Sequence, residues 1–300
     1  MLHSARNYSK YKNRFYQRND FYVINGHDEV LDFLYSSNIT HKGKKSISTF
    51  DFSTLYTSIP HTQLKSNLEK FINRIFEFKE KEFITPNLYT KRAYFGNSPS
   101  SKDISFNKET LLKCINFLID NSYVIHNGLV YRQVIGIPME TNCTPHMANI
   151  YLHTYEVEYI GNLIEKGDKE MLANLINIFR FQDDLFAVND NGNFQRILQD
   201  IYPKEMIVSN TNISNSKCSY LDLLISVYQG KFKVNLYDKR DGYKFKIFSY
   251  PYLDGNIPES RSYGIFISQL VRFCKVNSTF IGFRTDVNNL IVKLCNQGFE

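Results

Sequence analysis

The sequence predicts an α+β fold in which an antiparallel sheet packs on helices. Short β-prone runs meet at two tight turns, one at Asn127 and Gly128 and the other at Asp183 and Asp184, and both patterns are typical of β-hairpins. Between and after these hairpins, apolar residues recur at helical spacing. Hairpins and helices that follow one another in this order are typical of an α+β protein.

The individual elements follow from apolar periodicity and from turn residues. Leu64 and Leu68 lie in a run at helical spacing that begins after Pro60. Thr144 before Pro145 predicts a helix start with Thr144 as the N-cap. The predicted elements are, in order, a strand around Asp51, a helix over 62–78, a polar excursion over 86–107, a helix near 108–121, a hairpin over 123–131, a helix over 145–164, a hairpin over 177–188, a helix over 194–202, a hairpin formed by 219–228 and 231–237, and helices near 262–276 and 284–297.

Length and composition fit a globular protein. The chain has 300 residues, of which 43% are hydrophobic and 22% are charged, so it can bury a large core and shows no bias toward disorder. The net charge of +6 permits a nucleic-acid partner without demanding one. Five scattered cysteines, no signal peptide and no apolar run of membrane-spanning length predict an intracellular protein with reduced, mostly buried thiols.

The most informative residues are the adjacent acids at the hairpin tip, Asp183 and Asp184. Two like charges side by side are unfavourable unless a cation neutralises them, and carboxylate oxygens suit Mg²⁺. Asp51 is a candidate partner because it lies in an apolar, β-branched run, where an acid is costly to bury unless it is paired or bound to metal. Two metals held by such carboxylates can clamp both oxygens of a phosphoryl transfer. The alternative is that Asp51 is a turn or edge-strand acid that faces solvent.

Taken together and in order, five segments resemble the motifs of reverse transcriptases. The match covers roughly residues 20–300, and it is closest to the Penelope-like and related retroelement enzymes, a branch allied with telomerase. The segments are 50–60 (FDFSTLYTSIP), similar to the first catalytic motif; 136–145 (GIPMETNCTP), similar to the nucleotide-binding loop; 181–184 (FQDD), similar to the tyrosine-any-Asp-Asp box; 219–224 (SYLDLL), similar to the primer grip; and 263–273 (YGIFISQLVRF), similar to the thumb.

This resemblance implies a right-hand polymerase with a palm, truncated fingers and a helical thumb. Residues 1–45 would be partial fingers, 46–230 the palm with a fingers insertion near 80–132, and 231–300 the thumb. The implied activity is that of an RNA-directed DNA polymerase of a retroelement, which transfers a nucleotide from a dNTP to a primer 3′-hydroxyl with two Mg²⁺ ions, or Mn²⁺ in their place. The implied partners are an RNA template, a DNA primer and dNTPs, with no membrane, and the implied location is the nucleus if the element is eukaryotic.

The resemblance also assigns roles to individual residues. Asp51 and Asp183 would ligate both metals, Asp184 would support the site, and the carbonyl of Phe52 would complete a metal shell. Tyr56 would exclude a ribose 2′-hydroxyl by steric clash, although an ordinary core aromatic is the other interpretation of this residue. The nucleotide pocket would be shaped by Gln133, Gly136 and Pro138, with Gly136 allowing close approach of the backbone to the nucleotide, while nucleic acid would contact Tyr220, Leu221, Arg272 and Lys275.

Two departures from the family pattern favour other functions. Glu140 stands where the family has glycine, and a carboxylate beside a triphosphate is repulsive. Only about 50 residues precede Asp51, where the family places further fingers strands with phosphate-binding bases, and Arg14 and Arg18 are the candidates to replace them. Both departures favour a catalytically inactive, truncated nucleic-acid-binding remnant. An RNA-templated RNA polymerase is the third alternative, and Tyr56 argues against it because such enzymes accept a 2′-hydroxyl.

Overall fold

The computed structural model describes residues 21–40, 43–87, 89–90, 92–139, 141–190, 192–245 and 247–300. Within these ranges the protein is a mixed α+β fold, as the sequence predicts. Backbone contacts divide the chain into two compact units. The first comprises 21–23, Asp51–Asp183 and Asp190–Ser209, and the second comprises Ile24–Phe50, Asp184–Asn189 and Asn210–Glu300. The boundaries of fingers, palm and thumb stay a prediction.

The six predicted helices form close to where the apolar periodicity predicts them, and the helices at Asp28–Thr40, Leu55–Ser58 and Lys169–Asn174 were not predicted. In the long helix after Pro60, for example, the buried residues include Leu64, Leu68 and Ile72, which recur every four residues on one face. Within the described ranges the helices are α1 (Asp28–Thr40), α2 (Leu55–Ser58), α3 (His61–Lys79), α4 (Lys108–Asp120), α5 (Thr144–Glu165), α6 (Lys169–Asn174), α7 (Asn193–Ile201), α8 (Glu259–Val276) and α9 (Phe280–Cys295), and a 3₁₀ turn spans Lys239–Gly242.

Four sheets are formed by the strands of the described chain. The strands are β1 (Ile47–Phe52), β2 (Phe83–Asn87), β3 (Arg92–Gly96), β4 (Phe106–Asn107), β5 (Tyr123–His126), β6 (Leu129–Arg132), β7 (Ile178–Phe181), β8 (Asp184–Val188), β9 (Val208–Asn210), β10 (Lys217–Tyr220), β11 (Leu223–Tyr228) and β12 (Lys231–Leu236). The largest sheet has the order β7-β8-β1-β9. The other three, β10-β11-β12, β3-β2-β4 and the β5-β6 hairpin, are antiparallel.

Each unit has its own apolar core. In the first unit α3 packs against α4 and α5, and Tyr151 of α5 is fully buried. In the second unit α8 and α9 pack together, and the cluster between them contains Phe273, Leu290, Leu294 and Phe299. Burial of apolar surface of this kind is the main favourable term in folding, at about 25 cal/mol per Å².

The Asn127–Gly128 turn has the geometry that its sequence predicts, whereas the turn between β7 and β8 lies one residue earlier than predicted, at Gln182 and Asp183. Asn127 and Gly128 both have positive φ angles, +50° and +76°, as the two central residues of a type I′ turn require. At the tip between β7 and β8, Gln182 has a φ of +54°. This left-handed backbone is uncommon for a residue with a side chain, and it reverses the chain tightly next to Asp183.

One prediction about the loops is wrong. The stretch 86–107, predicted as a polar excursion, forms β3, β4 and the end of β2. Pro86 is tolerated because β2 pairs with β4 only at Phe83 and Ile84, so that among the described strands one side of β2 is unpaired at the proline.

Two further boundaries differ from the prediction. The predicted strand 219–228 is two strands, because Leu221 adopts a φ of +54° and turns the chain between β10 and β11. Thr144 is the first residue of α5 rather than its N-cap. The N-cap is Cys143, whose side chain makes no capping hydrogen bond.

The cysteines are free thiols, and most are not buried. Cys218 is buried, Cys143 is partly exposed, and Cys114, Cys274 and Cys295 are exposed, so the prediction of mostly buried thiols is wrong. None of the helices that the structure describes is both long enough and apolar enough to cross a membrane.

Candidate active site

The structure brings Asp51 and Asp183 together through the backbone beside them. The N–H of Phe52 donates to the carbonyl oxygen of Asp183 at 3.2 Å. The next N–H, that of Ser53, donates to the carbonyl of Ile207 at 3.1 Å, so the end of β1 is held by two separate segments. Both acidic side chains are partly exposed. Although 132 residues separate them along the chain (183 − 51), they therefore lie at neighbouring backbone positions of one unit.

Tyr56 joins this site from α2. Its hydroxyl donates to the side-chain oxygen of Gln182 at 3.2 Å, which ties the ring to the hairpin tip. Burial, and then the negative charge of Asp183, raise the pKa of Tyr56 above its ordinary value of 10.0. The phenol therefore stays protonated at neutral pH and remains a hydrogen-bond donor to Gln182. The residue is thus tied to the hairpin tip and feels the charge of Asp183, and its sugar-excluding role stays a prediction.

The loop that carries Gly136 packs directly on the segment that carries Tyr56. The N–H of Gly136 donates to the carbonyl of Ile59 at 2.8 Å, and the N–H of Ile137 donates to the carbonyl of Tyr56 at 2.7 Å. Gly136 has a φ of +75°, and a Cβ added to it would lie 2.6 Å from the Tyr56 carbonyl oxygen and 2.8 Å from the Cα of Thr57. The close approach that requires glycine in this structure is thus to the chain's own backbone, and the predicted approach to a nucleotide stays a prediction.

Replacing Gly136 by alanine is expected to lower the free energy of unfolding by about 1–3 kcal/mol more than the matched change at Gly128 does. Both glycines have nearly the same positive φ, +75° and +76°, but nothing lies within 4 Å of a Cβ at Gly128. The difference between the variants therefore isolates the clash with residues 56 and 57. Urea denaturation of both variants measures it, and equal destabilisation would contradict this account of the loop.

The two other predicted pocket residues flank this loop. The backbone N–H of Gln133 donates to the carbonyl of Ser122 at 2.8 Å. Its side-chain oxygen is buried and, within the described part of the chain, has no hydrogen-bond partner. Pro138 is partly exposed. Glu140, Arg14 and Arg18, on which the alternative functions depend, lie outside the described residues.

A buried ion pair supports the hairpin, and the sequence analysis missed it. Arg180 on β7 is fully buried, and its Nε donates to Oε1 of Glu156 on α5 at 2.6 Å. Its Nη1 donates to Oδ1 of Asn149 at 2.6 Å and to the carbonyl of Gln182 at 3.2 Å. The guanidinium therefore binds the strained residue at the hairpin tip directly. The sequence did contain a signal for this ion pair. Arg180 lies two residues after Ile178 in an apolar strand, and residues at this spacing face the same side, which in this strand is the buried one.

The same ion pair also reaches the strand that carries Asp51. The hydroxyl of Tyr202 donates to Oε1 of Glu156 at 2.9 Å, and its ring packs edge-on against Phe52 with 4.9 Å between the centroids. Burial by itself would raise the pKa of Glu156, but the charge and hydrogen bonds of Arg180, together with the nearby His153, lower it to about 2. Glu156 is therefore a carboxylate at neutral pH, and one network supports the backbone next to both Asp51 and Asp183.

The remaining predicted site residues belong to the second unit. Asp184 begins β8, is partly exposed, and its carbonyl accepts a hydrogen bond from the hydroxyl of Tyr220 at 3.5 Å. Tyr220 is 2% exposed and stacks on Phe186 with 5.0 Å between the ring centroids, so its ring is a core residue that nucleic acid cannot contact directly. Leu221, at the adjoining turn, is partly exposed.

The two predicted basic contacts differ in how available their charges are. Nη2 of Arg272 lies 2.5 Å from Oδ2 of Asp222, and Nε donates to the same oxygen at 3.1 Å. This ion pair offsets much of the positive charge of Arg272. Lys275 is mostly exposed, and its nearest carboxylate, that of Asp28, is 4.0 Å away. Of the two, Lys275 is the more exposed and has the more distant carboxylate, and contact of either with nucleic acid stays a prediction.

The acids of the first unit have the donor chemistry of a magnesium site. Mg²⁺ is commonly bound by one or two carboxylates together with water and the phosphates of a substrate. The carboxylates of Asp51 and Asp183 and the backbone carbonyl of Phe52 are hard oxygen donors that fit this pattern. Over the residues that the structure describes, no group of three or more His, Cys, Asp or Glu side chains is arranged to hold a metal. The three predicted acids are thus not arranged as such a group, and metal binding by Asp51 and Asp183 stays a prediction.

The sequence matches no protein-family model and no curated protein. Solved structures are similar to it. Telomerase from Candida albicans, solved in complex with a TWJ fragment of telomeric RNA, matches with a TM-score of 0.52 and 14% identity over 93% of this chain and 50% of that chain. Apo telomerase from Candida tropicalis matches with a TM-score of 0.47 and 15% identity over 100% of this chain and 52% of that chain. The chain spans about half the length of these structures. At this identity the Candida albicans match shows the fold alone: the chain has a polymerase-like fold similar to that of a telomerase.

Proposed function

We propose that this chain is an RNA-directed DNA polymerase of the retroelement type. The observation that carries the proposal is the hydrogen bond from Phe52 to Asp183, which places Asp51 next to the acid at the hairpin tip. Tyr56 beside that tip and the fold shared with a telomerase support it. In this proposal residues 46–230 are the palm, and 1–45 and 231–300 are partial fingers and thumb.

Asp51, Asp183 and the carbonyl of Phe52 would hold two Mg²⁺ ions, with Asp184 next to Asp183 in support. When bound, divalent ions would lower the pKa of the primer 3′-hydroxyl and neutralise charge on the leaving pyrophosphate. The chain's own residues do the rest. Gln133 and Pro138 would shape the floor of the nucleotide pocket. The hydrogen bond to Gln182 holds Tyr56 at the hairpin tip, where its ring would meet the 2′ position of the sugar.

Replacing Tyr56 by valine is expected to raise the relative incorporation of ribonucleotides by roughly 10- to 200-fold, which is the range that a steric contact in a pocket supplies. The ring would otherwise clash with the 2′-hydroxyl. Tyr56→Phe is the matched control, because it keeps the ring and removes only the hydroxyl that donates to Gln182. Competition between dCTP and CTP in single-nucleotide extension measures the ratio. If Tyr56→Val discriminates as the wild type does, Tyr56 is an ordinary core aromatic.

The experiment that tests the function is extension of a DNA primer on an RNA template with Mg²⁺ and either dNTPs or rNTPs. Extension with dNTPs supports the proposal, and extension with rNTPs alone would identify an RNA-templated RNA polymerase. The second candidate function is a nucleic-acid-binding remnant without chemistry. One observation favours the remnant, namely that no three-residue metal cluster is present among the described side chains. Absence of extension together with salt-sensitive duplex binding would establish it.

A further inference from the structure

Among the residues that the structure describes, three hydrogen bonds attach the loop that carries Gly136 to residues 56–61, and one of the three comes from a side chain. The two backbone bonds run from Gly136 to Ile59 and from Ile137 to Tyr56. The third joins Nε2 of His61 to the carbonyl oxygen of Gly136 at 2.7 Å. A carbonyl oxygen only accepts hydrogen bonds, so Nε2 carries the proton and His61 is the donor.

His61 is well placed to hold this loop still. It is the first residue of α3, a 19-residue helix whose next turn is anchored by the fully buried Leu64. The backbone there is fixed further by the N–H of Leu64, which donates to the carbonyl of Pro60 at 2.9 Å. Gly136, by contrast, has no side chain and the widest conformational freedom of any residue. A donor in the anchored first turn of α3 thus holds the carbonyl of Gly136 in place.

We propose that His61 is a positioning residue that fixes the distance between the Gly136 loop and Tyr56. In the proposed function the loop and Tyr56 both border the nucleotide, so this distance would decide how firmly Tyr56 rejects a 2′-hydroxyl. The inference deepens the proposed function, and its part on sugar selection rests on that function. The claim that His61 holds the loop is independent of that function, because the hydrogen bond is present whether or not the protein has polymerase activity.

Amide hydrogen exchange tests the attachment without any catalysis. In His61→Ala, exchange at the amides of Gly136 and Ile137 is expected to become roughly 5- to 10-fold faster, which corresponds to the loss of about one hydrogen bond. His61→Gln should restore slow exchange, because its amide nitrogen can reach the position of Nε2 and donate. His126→Ala, at an exposed position of β5, is the matched control and should leave both amides unchanged. Unchanged exchange in His61→Ala would overturn the proposal.

Extension kinetics test the selection. His61→Ala is expected to raise the KM for dNTP more than it lowers kcat, and to weaken discrimination against ribonucleotides by roughly 10-fold, with recovery in His61→Gln. If His61→Ala acted only by lowering overall stability, amides far from the loop would also exchange faster. Unchanged exchange at those distant amides, together with recovery of discrimination in His61→Gln, would therefore exclude a general loss of stability. If exchange quickens in His61→Ala but discrimination does not change, His61 holds the loop without setting selection, and the proposal fails. If the wild type extends no primer at all, the proposed function fails instead, and the exchange result still decides the attachment.

Discussion

Replacing Asp183 by asparagine is expected to slow nucleotide addition by at least about 1,000-fold while leaving the fold and nucleic-acid binding intact. Asparagine has the same shape as aspartate but lacks the charge that would hold a divalent ion. A metal that stabilises the transition state supplies several kcal/mol, and each 1.4 kcal/mol is a factor of ten in rate. Single-turnover extension of a labelled primer measures the change.

Two comparisons make this result specific to a shared site. Asp51→Asn should cause a loss of similar size, and the double variant should cost little more than either single one, because residues that act as a unit are not additive. Asp200→Asn, at an exposed position of α7, is the matched control and should extend like the wild type. Additive losses from Asp51→Asn and Asp183→Asn would show that the two acids act separately.

Breaking the buried ion pair is expected to have the largest effect on stability. Arg180→Met should lower the free energy of unfolding by about 3–5 kcal/mol, because it leaves the carboxylate of Glu156 buried without its partner. Glu156→Leu should do the same for the guanidinium. The double variant should cost clearly less than the sum of the two, since no unpaired charge is left. Urea denaturation of the four proteins completes the cycle, and additive costs would contradict the pairing.

The pH dependence of stability provides an independent control for the same pair. Folding lowers the pKa of Glu156 from its ordinary value of 4.5 to about 2. The carboxylate therefore contributes stability that is fully present above about pH 4.5 and is lost as the pH falls toward 2. The difference in unfolding free energy between wild type and Glu156→Gln should shrink over this range. A difference that stays constant from pH 5 to about 2 would contradict a charged Glu156.

Local patterns predicted much of the fold. The helices α3 and α5 and the β7-β8 hairpin follow from residues that are neighbours along the chain, so periodicity and turn residues were sufficient for them, although the turn lies at Gln182 and Asp183, one residue earlier than predicted. The β2-β3-β4 sheet was missed because its strands are short and only partly buried, and their pairing depends on tertiary register rather than on an apolar pattern.

The sequence predicted the acidic residues of the candidate site, but not the residues that hold them in place. Asp51 was identified because burying a charge in an apolar strand costs free energy. The same argument applies to Arg180, which the sequence analysis did not identify. The role of Gly136 was assigned to a ligand, whereas the structure shows an approach to the backbone of residues 56 and 57 that no sequence pattern reveals. Tyr220 was interpreted as a binding residue from its motif, although Cys218 and Tyr220 alternate inward on β10 and place the ring in the core.

Single-nucleotide incorporation opposite each of the four bases of an RNA template tests the central claim most directly. The wild-type chain with Mg²⁺ should add only the complementary deoxynucleotide at each template base, and Asp51→Asn should add none while still binding the primer–template duplex. No incorporation by the wild type, or incorporation that does not depend on the template base, would contradict the claim that Asp51 and Asp183 form the active site of a templated DNA polymerase.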